Sequence, residues 1–221
     1  MSILSRLTDR QRWGRLGGSL KYALHVITHP FDGFWDLTHE KRGTMGAANI
    51  IVIAVLITRL LALEHTAFMF NEVYWPSVNI LQQCLSVLLP LVIFVISNWG
   101  LTTLFEGKGT LKDVYMATAY ALTPYVLLQL PMIVLSNWIT VDEAAFYNIL
   151  ATLSLVWSGG LIICGMMMIH DYSLAKTLLF IVMTIAAMLI VVFLLLLFFT
   201  LVGDGVGYFT SLYKEITFRL Y

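Results

Sequence analysis

Side chains able to do chemistry are few and scattered in this chain. The five histidines, His25, His29, His39, His65 and His170, lack the close pairing of a zinc motif and a neighbouring carboxylate pair, so no metal site is expected. Ser158-Gly159-Gly160 offers a conceivable nucleophile, but no histidine lies at matching depth to act as its base; the small residues are read as permitting close helix contact. Gly107-Lys108-Gly109 lacks the pattern of a phosphate-cradling loop and reads as a turn entering a helix. Arg59 and Gln129 are polar groups inside apolar stretches, where such residues are functional candidates by default. Arg59 is expected to snorkel or to pair with Glu64 or Glu72, and Gln129 to hydrogen-bond to a neighbouring helix. His170 with Asp171, and Asn98 with Trp99, fall at span ends and read as solvated interface residues. The expectation is a protein without catalytic residues or cofactor.

The elements that position these residues follow from composition. With 59% hydrophobic residues, 12% charged residues and a mean hydropathy of +0.85, a soluble fold would have too little polar surface. Five apolar stretches, Ala47–Leu63, Asn79–Leu104, Val114–Ser136, Ala144–Ile169 and Leu174–Val202, predict an all-α polytopic membrane protein whose helices cross about 30 Å of hydrocarbon. Ten of the thirteen Lys and Arg residues then share one side. By the positive-inside rule that side, with the N-terminus, is the cytoplasm, and the C-terminus is external. Splitting the fifth stretch, the competing topology, would return the tail to the cytoplasm.

Three regions are predicted. Residues 1–44 are a cytoplasmic, interfacial segment, residues 45–202 the five-helix domain, and residues 203–221 an external amphipathic tail. In the first, Phe31, Phe34 and Trp35 form an aromatic stripe opposite Asp32, Asp36 and Glu40, as an interfacial helix requires. The basic residues here suit anionic lipid headgroups, and no nucleic-acid motif occurs. In the tail, Phe209 and Tyr213 share a helical face after the flexible Gly203-Asp204-Gly205-Val206-Gly207 stretch. Pro90, Pro124 and Pro131 predict kinks that serve packing.

The run from Glu106 through Gly107, Gly109, Tyr120 and Pro124 to Tyr125, ending Ala119-Tyr120-Ala121-Leu122-Thr123-Pro124-Tyr125, resembles the Yip family of Ypt- or Rab-interacting membrane proteins in its bacterial form. The His170-Asp171-Tyr172 turn is similar too, and the likeness covers roughly residues 79 to 202. It implies a membrane adaptor. Eukaryotic members engage Rab GTPases through an acidic N-terminal region, where this chain has a short basic one; some bacterial members accompany carbohydrate ABC-transporter components. The resulting expectation is a multi-pass protein of the plasma membrane, an accessory or scaffold subunit contacting lipid and another integral membrane complex, such as sugar ABC-transporter subunits. Self-association stays open. The alternative is a small-solute transporter or channel built around Arg59 and Gln129.

Overall fold

Several of the helices begin where the sequence supplies caps. A computed structural model describes residues 10–70 and 78–220; Arg6 of the basic segment and Glu72, one expected partner of Arg59, lie outside the described residues. Helices α1 (Arg10–Thr28) and α2 (Pro30–His39) precede α3 (Met45–His65), α4 (Ile80–Leu104), α5 (Leu111–Ala121), α6 (Thr123–Leu135), α7 (Ala144–His170) and α8 (Leu174–Leu220). Thr44 caps α3 by accepting from Ala47 N at 3.2 Å, and Asn79 caps α4 by accepting from Leu81 N at 2.9 Å. Thr110 and Asp113 form a reciprocal capping box on α5, which satisfies amide donors that the first turn leaves unpaired. Five helical segments are long and apolar enough to cross a membrane: α3, α4, α5 with α6, α7, and α8 as far as Phe218. Among the described residues there is no strand.

The third span is two helices. Pro124 has no N–H to give the carbonyl of Tyr120 four residues earlier, and the hydroxyl of Thr123 bonds that carbonyl instead at 2.7 Å. The helix therefore breaks at Leu122, between α5 and α6. Pro90 marks another change: every buried residue of α4 follows it, from Leu91 to Thr102.

Packing is consequently uneven along the bundle. The core gathers at the end that carries α1 and α2, from Ala47, Ala48, Ile51 and Val52 of α3, Val114, Ala117 and Tyr120 of α5, and Leu161, Met166 and Ile169 of α7. Toward the other end α4 before Leu91 and the described second half of α8 have no buried residues.

The amphipathic N-terminal segment is built into that core. A close approach of Gly33 to the Val26 backbone folds α2 back on α1, and Val26, Phe34 and Leu37 are buried. Phe34, expected at the membrane surface, instead packs its ring on Gly165 of α7, where the lack of a side chain makes room. Phe31 and Trp35 remain exposed. At the other terminus α8 is a single helix of 47 residues that runs unbroken through Gly203, Gly205 and Gly207, where sequence predicted a flexible break. It leans mainly on α4.

Candidate functional site

Three groups of polar residues are placed by these helices. The first lies where α4, α7 and α8 meet the turn before α5. Gly109 N donates to His170 Nδ1 at 3.3 Å, so the ring proton sits on Nε2 and faces Asn98 Oδ1, also at 3.3 Å. Asn98 Nδ2 donates to Thr184 Oγ1 at 3.1 Å, and that hydroxyl donates to Phe180 O at 2.7 Å. Thr102 returns a 2.7 Å bond to Asn98 O. His170, Asn98 and Thr184 are all buried, and the chain of donors and acceptors leaves neither ring nitrogen free.

This placement corrects the reading of Asn98 and His170 as solvated interface residues. The glycine turn seals them: neither Gly107 nor Gly109 has a positive φ, and what each supplies is space, since a Cβ on either would fall 2.8 Å from the His170 ring. Around the rim Lys108 pairs with Asp171 at 2.7 Å, Asp171 ends α7 in the left-handed conformation, and Tyr172 donates to Phe105 O at 2.8 Å. Lys176 stands 3.9 Å over the Tyr172 ring.

The second group centres on Tyr120, wholly buried in α5. Its hydroxyl lies 2.5 Å from Ser19 Oγ of α1 and accepts from Thr44 N at 3.5 Å. Ser19 also donates to Arg42 O at 3.0 Å. One phenol thus ties α1, the 40–44 connection and the start of α3 to the third span.

The third group lines a cavity in the looser part of the bundle. A space of about 480 Å³ is bounded by all five spans, with Arg59, Pro90, Tyr125, Leu155 and Met188 among its walls. It adjoins one of about 280 Å³ that adds Gln129 and Tyr147 and shares Arg59, Tyr125 and Leu155. Gln129 donates to Ser154 Oγ of α7 at 3.2 Å. Glu64, expected as a partner of Arg59, faces His65 at 3.9 Å instead. Among the described residues the Arg59 side chain makes no hydrogen bond or ion pair.

The family model described as the Yip1 domain matches residues 24–202. The chain belongs to the Yip1 family. No curated protein matches it, and no solved structure does. The Yip1 match begins at Leu24 near the end of α1 and ends at Val202 of α8, so it takes in the last turn of α1, all of α2 and the five spans as far as Val202.

Within this Yip1 domain the motif residues divide by task. Gly107 and Gly109 bed His170, Tyr120 holds the N-terminal hairpin, and Pro124 sets the break that leaves Tyr125 on the cavity wall. Phe209 and Tyr213 lie far from all three groups, exposed on α8. Ser158 is buried and without a partner among the described residues; twelve residues of one helix, about 18 Å, separate it from His170. A Cβ on Gly159 or Gly160 would meet open space, so these glycines do not serve close contact within the chain, contrary to expectation; Gly165 does. Sequence reasoning missed Ser19, Thr44, Thr184 and Tyr147. A serine or threonine on an amphipathic or apolar helix carries no mark of the partner it will find 100 residues away.

Proposed function

We propose that the protein is a non-catalytic accessory or scaffold subunit of the plasma membrane that docks another integral membrane protein along α8. One observation carries this reading: in the most apolar 18-residue stretch of α8, none of the residues is buried in the chain's own fold. Lipid can cover part of that length but not all of it. Forty-seven residues of helix extend about 70 Å, against roughly 30 Å of hydrocarbon. Beyond Val202 the helix still exposes Phe209 (68%), Tyr213 (72%) and Phe218 (89%), more apolar surface than a helix in water tolerates. In the proposed topology the basic residues around α1 and the Lys108 and Lys176 turns face the cytoplasm, and this tail is external. The family resemblance names a carbohydrate ABC transporter as the client to test.

A photo-crosslinker placed at Phe209 or Tyr213 in native membranes tests the proposal. The expected product joins this chain to one integral membrane protein in near-equimolar yield, and to the transporter subunits if that client is right. Cross-links to lipid or to a second copy of this chain alone would overturn it. Small-solute transport ranks second on a specific observation, that Arg59 and Gln129 share a cavity wall. It requires that Arg59→Ala and Gln129→Ala abolish flux in reconstituted vesicles.

A further inference from the structure

The cavity between the spans holds a positive charge, Arg59, that has no ion-pair partner among the described residues. Arg59 stands six residues before the end of α3, about 9 Å along the helix. Among the described residues no carboxylate contacts it, and the walls of the two adjoining spaces contain no Asp or Glu. Isolated charge in hydrocarbon is costly, and such an arginine is ordinarily paired. Donors surround it: the Tyr125 and Tyr147 phenols and the Gln129 amide share its cavity. The rest of the larger space is mostly apolar, formed by residues such as Val55, Leu91, Phe94, Ile162 and Met188, and the hydroxyls of its Ser86 and Thr118 are bonded to backbone carbonyls. Its rim residues Arg59, Pro90 and Leu155 are exposed, so it opens on the side of the bundle, where lipid lies.

We infer that this cavity binds one anionic phospholipid, its phosphate on Arg59 within reach of Gln129 and Tyr147, and one hydrocarbon chain along the Leu91–Phe94 wall of α4. The chemistry fits at both ends. A guanidinium pairs with two phosphate oxygens at once and is less strongly hydrated than an ammonium, and both spaces lie near or within the 300–1,000 Å³ typical of ligand cavities, roughly. A free anion would gain nothing from the apolar wall, and a cation would meet a positive charge. The splayed packing beyond Pro90 has a purpose under this reading: it leaves the room that the chain occupies. The inference is independent of any docking on α8.

Native mass spectrometry of the full chain, delipidated and then given phosphatidylglycerol or phosphatidylcholine, provides the test. The wild type is expected to retain one phosphatidylglycerol with at least about tenfold preference over phosphatidylcholine, whose choline cation offsets the phosphate charge and is repelled by Arg59. Arg59→Gln should remove the preference, and Arg59→Lys should restore part of it. Leu155→Trp, which crowds the cavity without touching the charge, should lower retention of both lipids. Equal retention of the two lipids by the wild type, or an unchanged preference in a folded Arg59→Gln protein, would overturn the inference. So would calorimetric binding of inorganic phosphate as tight as that of phosphatidylglycerol, which would make this a soluble-anion site. If Arg59→Gln does not fold, the Leu155→Trp result decides.

Discussion

A Cβ added to Gly109 would lie 2.8 Å from His170 Cε1 and closer still to the Ile169 side chain. Neither neighbour can yield easily, because the imidazole is held at both nitrogens and Ile169 is buried in the core. Gly109→Ala should therefore cost about 1–3 kcal/mol, the usual penalty of overpacking, seen as a lower Tm in detergent. An unchanged Tm would mean that the turn moves freely and does not seal His170. Tyr22 on α1 offers a second residue-scale test. Its phenol donates to Gly33 O at 3.1 Å and to Asp36 Oδ2 at 3.2 Å. Burial first, and the Asp36 charge second, push its pKa up to about 12 from the ordinary 10.0. The unfolded chain loses this proton at lower pH than the folded one. The contact is thus fully present below pH 10 and is lost as pH climbs toward 12. A phenolate absorbance titration should contain a late step that Tyr22→Phe removes; a titration unmoved by that substitution would contradict the contact.

At the scale of elements the spans were legible because length and hydropathy are properties of single segments. The observed ends of α4 and α7 fall within a residue of those expected, and the structure shows Asn79 and Thr110 capping α4 and α5. What could not be read was which faces meet. Phe34 belongs to an amphipathic helix suited to a membrane surface, and only the bare backbone of Gly165 on a distant helix makes it a core residue. His170 at a span end looks solvated until the glycine turn closes over it. Tyr120 was recognisable by its motif, but its partner Ser19, 101 residues away, was not. Because that hydroxyl is the polar link between α5 and the N-terminal hairpin, Tyr120→Phe is expected to leave the spans intact and loosen α1. Losing a buried hydrogen bond costs about 1–2 kcal/mol, while Ser19 keeps its bonds to Arg42 O and Thr44 Oγ1. Amide hydrogen exchange should quicken in α1 and α2 and stay unchanged in α7. Equal quickening throughout would mean that the phenol supports the whole bundle instead.

For the molecule as a whole the unequal packing of its two ends matters most. The end bearing α1 and α2 has a dense core and a satisfied polar network, and it can act as a rigid base. At the other end the cavity and the free length of α8 are places where the fold is completed by something other than itself. Sequence showed the apolar run from Leu178 to Val202 but suggested a flexible break after it, since Gly203, Gly205 and Gly207 each disfavour helix by roughly 1 kcal/mol relative to Ala. In the structure the helix continues, although nothing lies within 4 Å of a Cβ built on any of the three. A helix that carries three such residues without tertiary contacts should open easily when alone. In the isolated protein, amides from Gly203 to Tyr208 should thus exchange orders of magnitude faster than those of the buried stretch Val114–Ala121. Once a partner covers the aromatic face of α8, propagation through the glycines is stabilised from outside and the same amides should slow. Protection that is already high in the isolated chain would show that this helix needs no cover; protection that stays low in the assembled complex would place the partner elsewhere.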